Sequence, residues 1–227
     1  MVYNFNGVKV NFKVFEARGD EANKTPLLLL HGWGCDSRIF ENFISLIPNR
    51  KIIVLDFPPF GESNVEPNGW NVFTYANMVL GLCQHLNIKK VDVLGHSFGG
   101  RVAIILTSLR SDFINKCILV DSAGLKPRHV LKYYAKLYYY KLARYFGFML
   151  SGAGSADYQA LSYEMKKVFV SIVNQHLDDY LPLIKKKTLI IFGENDKETP
   201  VYMAHRLHKN IENSRLEIIK GGGHFCF

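Results

Sequence analysis

One serine in the chain stands in a setting that favours nucleophilic chemistry. Ser97 lies in the segment Gly95-His96-Ser97-Phe98-Gly99-Gly100, which follows the apolar run 91–94 and precedes a helical pattern. A strand, a tight turn and a helix form the context of a G-x-S-x-G nucleophile elbow, in which small neighbours let the turn lift the hydroxyl above the sheet edge. The string alone could also be an ordinary glycine-rich connection. The context predicts that Ser97 is a nucleophile.

A serine hydroxyl is a weak nucleophile until a base takes its proton and a third group orients that base. Downstream, Asp196 follows the apolar run 188–192, and His224 follows the run 216–219. Taken singly, Asp196 could be a turn former and His224 a solvated loop residue. Their order after the serine is the order of a Ser-Asp-His triad on an open α/β sheet. We therefore predict His224 as the base and Asp196 as its orienting acid, with Asp121 as a less favoured rival.

A fourth element of the same chemistry precedes the serine. The run 27–30 leads into His31-Gly32-Trp33-Gly34, a loop placed to supply one backbone N–H to a transition-state oxyanion. The residue after the nucleophile supplies the second donor. The predicted oxyanion hole thus consists of the N–H groups of Trp33 and Phe98, and we expect His31 to hold the loop in place.

Short apolar runs alternate with amphipathic segments along most of the chain, which predicts an α/β fold with a parallel sheet covered by helices on both faces. Alternation in Val8–Phe15 predicts a half-exposed edge strand. Thr199 before Pro200 is a predicted helix N-cap. The other predicted strands span 27–30, 51–55, 91–94, 116–120, 188–192 and 216–219. The predicted helices span 37–47, 74–86, 98–109 and 200–208, and further helical patterns span 128–148 and 163–177.

The stretch 124–187 differs from its flanks in composition. It contains eleven of the 28 Lys/Arg residues, four of the 20 Asp/Glu residues and nine of the 12 tyrosines. A compositional shift of this kind is a boundary signal, and the stretch is far longer than an ordinary strand–helix connection. We predict a helical cap at 124–187, inserted into a core formed by 1–123 and 188–227. Its tyrosines, with Tyr134 and Tyr138 foremost, and His96 are predicted to bind substrate.

Composition also excludes several classes of protein. The 227 residues carry a formal charge of +8, with 48% hydrophobic and 21% charged residues, which is typical of a soluble domain. No nucleic-acid motif, secretory signal, membrane-length apolar run or paired cysteine motif is present, so we expect a cytoplasmic protein that binds a small molecule, with its oligomeric state open. His205 and His208 lack a third ligand, so no metal or cofactor is predicted. Cys35, beside the oxyanion loop, is predicted to be sensitive to thiol reagents.

Taken together, these motifs make the chain similar to the α/β-hydrolase fold family. The resemblance runs from about residue 8 to the end. It implies an eight-stranded, mostly parallel sheet with antiparallel first strands and a lid after the sixth strand. Members usually continue past the histidine into a helix. We therefore expect either a truncated sequence or a loose apolar end at Phe225-Cys226-Phe227 and a less rigid His224.

The resemblance leaves the reaction open. A serine at position 97 favours an acyl-enzyme route, whereas an aspartate there would indicate epoxide or haloalkane chemistry. Small carboxylic esters are the predicted substrates. Carbon–carbon bond hydrolysis of diketone-like compounds is an alternative, and so is a non-catalytic binding protein that keeps the pocket.

Overall fold

Eight strands form a single sheet within the part of the chain that the computed structural model describes, which is residues 1–18, 24–128, 159 and 161–227. The spatial order is β1-β2-β4-β3-β5-β6-β7-β8. β2 pairs antiparallel with β1 and β4, and all other pairs are parallel, which confirms the predicted fold class. The strands are β1 Val2–Phe5, β2 Val8–Phe15, β3 Leu27–Leu30, β4 Ile52–Leu55, β5 Val91–His96, β6 Ile114–Val120, β7 Thr188–Gly193 and β8 Ser214–Ile219.

Helices cover both faces of the sheet. The described α-helices are α1 Glu41–Ser45, α2 Val72–His85, α3 Phe98–Leu109, α4 Tyr163–Asn174 and α5 Val201–Asn210, with 3₁₀ helices at Ser37–Phe40 and Asp178–Leu183. The predicted N-cap at Thr199 is wrong. Pro200 occupies the N-cap position of α5 with φ −60° and ψ 149°, and no side chain caps that end. The Thr199 hydroxyl instead donates to Asp196 Oδ2.

The first hairpin corrects the prediction for β2. Val8–Phe15 is not the sheet edge, because β1 pairs along it with Phe5 opposite Val8. The connection is Asn6-Gly7, and both residues have positive φ, 51° and 87°. Positive φ at both central positions is the signature of a type I′ hairpin turn, for which Asn-Gly is the strongest short-range signal. That signal was present in the sequence and was missed.

The central strands are apolar throughout because both of their faces are buried. In β3, Leu28 and Leu30 join the core cluster beneath α2 and α3, whereas Leu27 and Leu29 join a second cluster with Phe40 on the opposite face. All four side chains are at most 2% exposed. Strands buried on both faces lack polar alternation for this reason. Two apolar layers thus hold the carboxyl ends of the parallel strands in fixed positions.

The stretch between β6 and β7 returns to the core through α4 and the second 3₁₀ helix. Met165, Val168 and Ile172 of α4 are buried. The Gln175 side chain accepts a hydrogen bond from Val72 N at 3.0 Å, which joins the end of α4 to the start of α2. Residues 129–158 lie outside the described residues, so the cap at 124–187 stays a prediction. In the described ranges, no helix combines the length and apolar character that a membrane crossing requires.

Candidate active site

The turn that carries Ser97 is strained and closely packed. Ser97 follows β5 and precedes α3 with φ 50° and ψ −111°. A Cβ added at Gly95 would lie 2.4 Å from Gly99 O, and one added at Gly99 would lie 2.1 Å from Leu30 O. A side chain at Gly95 would therefore collide with the start of α3, and one at Gly99 would collide with the end of β3. A non-glycine residue at positive φ costs energy and is common at functional sites. The glycines at 95 and 99 therefore allow a strained turn that raises the serine hydroxyl at the end of β5.

The three predicted triad side chains lie in one hydrogen-bonded chain. His224 Nε2 is 3.0 Å from Ser97 Oγ, and His224 Nδ1 is 2.8 Å from Asp196 Oδ2. Each residue follows a different strand, β5, β7 or β8, at the same edge of the sheet. Open α/β sheets place their sites at this carboxyl edge. The distances allow proton transfer from the serine hydroxyl to the imidazole.

Asp196 is held as a carboxylate by a dense set of donors. Oδ2 accepts the Thr199 hydroxyl at 2.5 Å in addition to His224, and Oδ1 accepts the backbone N–H groups of Glu198 at 2.8 Å and Thr199 at 3.0 Å. Burial by itself raises the pKa of Asp196, but these hydrogen bonds outweigh it and hold the pKa below its ordinary value. Asp196 is therefore ionised at neutral pH. The sequence analysis assigned Thr199 to a helix N-cap and missed its contacts with Asp196, although an Asp side chain often accepts backbone N–H groups two and three residues further on.

The rival acid has a different role in the structure. Asp121 Oδ1 accepts a hydrogen bond from Gly193 N at 2.8 Å, which joins the ends of β6 and β7. Burial raises the pKa of the Asp121 carboxyl. No hydrogen bond links Asp121 to His224 in the described part of the chain. The geometry thus favours Asp196 as the residue that orients the imidazole.

The loop after β3 is fixed against the nucleophile elbow. Gly99 N donates to His31 O at 3.0 Å. His31 Nε2 accepts from Phe57 N at 2.8 Å, while Nδ1 donates to Gly32 O at 2.7 Å, and burial lowers the pKa of His31, so the ring is neutral. Within the described residues, the N–H groups of Trp33 and Phe98 donate no backbone hydrogen bond. They are free to bind an oxyanion, and this role stays a prediction.

His96 supports the loop that bears His224. Its Nε2 donates to His224 O at 2.7 Å, and its ring packs on those of Phe225 and Phe227 at 4.9 and 5.1 Å. Burial lowers the pKa of His96 to about 4, so it is neutral near pH 7. The ring borders the cavity but is completely buried, and substrate binding by His96 stays a prediction. Phe225 and Phe227 make these contacts while remaining exposed themselves.

Comparisons with known proteins identify the family of the chain. A family model described as the alpha/beta hydrolase fold matches residues 25–163. The chain belongs to this hydrolase family. The uncharacterized hydrolase YugF of Bacillus subtilis is 26% identical over 98% of the chain and 90% of its own length. An esterase of Exiguobacterium antarcticum superimposes with a TM-score of 0.75 and 24% identity, covering 96% of this chain and 90% of that one.

A third relative carries a more specific name. The 2-hydroxy-6-oxo-6-(2'-aminophenyl)hexa-2,4-dienoic acid hydrolase of Metapseudomonas resinovorans is 24% identical over 96% of this chain and 84% of its own length. The names of the esterase and of this relative thus describe different reactions. The family is common to these relatives, whereas the substrates that their names indicate are not.

The hydrolase has a cavity of about 540 Å³ over the triad. This volume is within the range of small-molecule sites. A groove of about 570 Å³ elsewhere, beside Phe15 and Arg50, contains none of the predicted site residues, so we assign the substrate to the triad cavity. The described lining residues are mostly apolar: Trp33, Cys35, His96, Ser97, Phe98, Arg101, Ala123, Phe169, Ile172, Val173, Glu198, Thr199, His224 and Phe225. Tyr134 and Tyr138 lie outside the described residues.

Glu198 is a cavity residue that sequence reasoning missed. Its Oε2 lies 3.2 Å from His224 Nε2, on the same nitrogen that faces Ser97, and its side chain is 71% exposed. A solvent-exposed carboxylate contributes little to stability. Nothing in the sequence distinguishes Glu198 from other acidic surface residues, since its proximity to His224 depends on the folded loop.

The described part of the hydrolase shows no group of three or more His, Cys, Asp or Glu side chains that could hold a metal ion. Of the two histidines that the sequence analysis considered, His208 has its Nδ1 2.9 Å from Ser214 Oγ. The triad chemistry described above uses only side chains and backbone groups of this chain.

Proposed function

We propose that this hydrolase cleaves small carboxylic esters through an acyl-enzyme intermediate on Ser97. The observation that supports this most strongly is the hydrogen-bonded chain from Ser97 through His224 to Asp196, at 3.0 and 2.8 Å. A nucleophile, a base and an orienting carboxylate in this arrangement are what acyl transfer requires. The cavity above them has the volume of a small-molecule site.

The first half-reaction acylates the serine. His224 Nε2 takes the proton from Ser97 Oγ as the oxygen attacks the ester carbonyl carbon. The N–H groups of Trp33 and Phe98 stabilise the negative oxygen of the tetrahedral intermediate. The bond to the alcohol oxygen then breaks, and His224 gives its proton to the departing alcohol. Asp196 stabilises the imidazolium that exists between these two transfers.

The second half-reaction restores the enzyme. His224 takes a proton from a water molecule, and the oxygen of that water attacks the acyl carbon on Ser97. The second tetrahedral intermediate collapses as the bond to Ser97 Oγ breaks, and His224 returns a proton to the serine. The products are one carboxylic acid and one alcohol, so atoms and charges balance.

Carbon–carbon bond hydrolysis is a second candidate. The relative from Metapseudomonas resinovorans is named as the hydrolase of a dienoic acid that also bears an oxo group. In that reaction the leaving group is a carbanion equivalent that must be protonated on carbon. We favour esters because ester cleavage needs only the protonation of an alcohol oxygen, which His224 can perform without a second acid.

A panel of p-nitrophenyl esters tests the substrate class. We expect kcat/KM to peak at acyl chains of about four to eight carbons and to fall for longer chains, since the cavity has the size of a small-ligand site. The measurement is the initial rate of p-nitrophenolate release across the chain-length series, with a diketone assayed alongside by chromatography.

Each outcome of the panel has a distinct meaning. Cleavage of the diketone into two fragments, together with inert esters, would favour carbon–carbon hydrolysis. Binding of the esters with no turnover, and no covalent labelling of Ser97, would favour a non-catalytic binding protein. A rate that rises steadily to chains of sixteen or more carbons (about twice the length expected here) would contradict the assignment to small substrates.

A further inference from the structure

Arg101 is a buried cation in the wall of the triad cavity. The residue is only 7% exposed, and burial lowers the pKa of its guanidinium to about 10, so it is still charged at neutral pH. A buried charge is costly unless a counter-ion or a full set of hydrogen bonds compensates it. The partners of Arg101 therefore indicate what the cavity is built to hold.

The hydrogen bonds of Arg101 leave most of its donors unused. Nη1 donates at 2.9 Å to Ile172 O and at 2.9 Å to Gln175 O, near the C-terminal end of α4. In the described part of the chain, no carboxylate pairs with Arg101, and its Nε and Nη2 have no hydrogen-bond partner. Three N–H groups of a planar fork thus remain available, which matches the geometry of a bidentate carboxylate.

The position of Arg101 relates it to the nucleophile. It lies in the first turn of α3, four residues after Ser97, which precedes that helix. Both residues line the same cavity. Phe169, Ile172 and Val173 of α4 also line this cavity, and Arg101 is hydrogen-bonded to Ile172 O, so apolar side chains lie near the guanidinium, where an ion pair is stronger than in water.

We propose that Arg101 binds a carboxylate on the acyl part of the substrate, so that the hydrolase prefers esters whose acyl chain ends in a carboxylate. This inference rests on the proposed ester hydrolysis. The leaving alcohol must lie beside His224, because Nε2 protonates it. The acyl chain then extends away from His224 into the rest of the cavity, where Arg101 is the buried cation that a terminal carboxylate can meet.

The other charges at the cavity are consistent with an anionic substrate. Glu198 is the other charged side chain among the described lining residues, apart from the triad, and its 71% exposure leaves it screened by solvent. Arg101 is only 7% exposed, so solvent screens its charge less than that of Glu198.

Two esters with the same number of acyl carbons separate a charge contact from a structural role. The substrates are p-nitrophenyl hydrogen adipate, which ends in a carboxylate, and p-nitrophenyl hexanoate, which is neutral. We expect the native enzyme to favour the adipate in kcat/KM by about 10-fold or more, and Arg101→Met to lower this ratio by about 30-fold or more, mainly through KM. Arg101→Met also removes the hydrogen bonds to Ile172 O and Gln175 O. This structural loss affects the hydrolysis of both substrates equally, so it does not change the ratio of their kcat/KM values.

Matched variants sharpen the test. Arg110→Met removes an exposed cation at the other end of α3, where it pairs with Asp112, and should leave the ratio unchanged. Arg101→Lys keeps the charge without the planar fork and should fall between native and Arg101→Met. A preference that persists in Arg101→Met but disappears in about 0.5 M NaCl would indicate steering by surface lysines, and would overturn the inference.

The outcomes distinguish this inference from the proposed function. Hydrolysis of both esters with no preference for the adipate overturns the role of Arg101 alone, whereas hydrolysis of neither overturns the proposed function. In that second case, calorimetric titration of Ser97→Ala with monomethyl adipate still tests the carboxylate site. We expect binding that weakens by about 30-fold or more when Arg101→Met is added; equal affinity in both proteins would contradict the site.

Discussion

Replacing His224 with alanine is expected to lower kcat for ester hydrolysis by roughly 10⁴- to 10⁶-fold. Its Nε2 lies 3.0 Å from Ser97 Oγ, and it performs every proton transfer in both half-reactions. His96 cannot replace it, because its Nε2 donates to His224 O and its ring is buried. Without a base, the serine hydroxyl keeps its proton and attacks slowly. The measurement is steady-state hydrolysis of a short p-nitrophenyl ester.

A second histidine provides the control for this variant. His205 is exposed on α5 and lies outside the triad cavity, so His205→Ala should keep kcat within about 3-fold of the native value. Thermal melting of both variants checks that the fold is intact. A loss of less than 10-fold in a folded His224→Ala protein (far below the roughly 10⁴-fold expected of a triad base) would show that this histidine is not the base.

Replacing Asp196 with asparagine is expected to lower kcat by roughly 10⁴-fold with little change in the fold. In the native site, Asp196 Oδ2 accepts from both His224 Nδ1 and the Thr199 hydroxyl. An amide group at this position would present an N–H to His224 Nδ1. The imidazole would then carry its proton on Nε2 and could not accept one from Ser97. Initial rates of ester hydrolysis measure this loss.

Asp121→Asn is the matched variant for the acid. The asparagine oxygen can still accept the hydrogen bond from Gly193 N, which Asp121 Oδ1 accepts at 2.8 Å. We expect its kcat to fall by less than about 10-fold, since the geometry gives Asp121 no bond to His224. If Asp121→Asn lost activity and Asp196→Asn retained it, the assignment of the orienting acid would have to be reversed.

Local patterns in the sequence predicted most of the fold. The bounds of β3 and α3 matched the structure to the residue, because a run buried on both faces and a helix that begins at the elbow each leave a clear pattern. The strand β1 was not predicted, because a four-residue strand with exposed and partly buried side chains has no clear apolar pattern. Its turn, Asn6-Gly7, carried the signal that the strand itself lacked.

The positions of the three triad residues could be predicted, because chain order and the ends of parallel strands bring them to one edge of the sheet. Ser97, Asp196 and His224 each follow an apolar run, so their convergence could be expected from topology. Arg101 and Glu198 could not be recognised in this way. The burial of Arg101 depends on α4, which lies more than sixty residues further along the chain, and the contact of Glu198 with the imidazole depends on how two loops fold together. Contacts of this kind are non-local and leave no mark in sequence spacing.

Covalent labelling with a fluorophosphonate probe tests the central claim most directly. The activated hydroxyl attacks phosphorus, fluoride leaves, and the proton passes to His224, so one adduct forms per active chain. We predict stoichiometric labelling of the native protein by intact mass, mapped to the peptide containing Ser97, and none in Ser97→Ala. A native protein that stays unlabelled, or an adduct on another residue that persists in Ser97→Ala, would contradict the account.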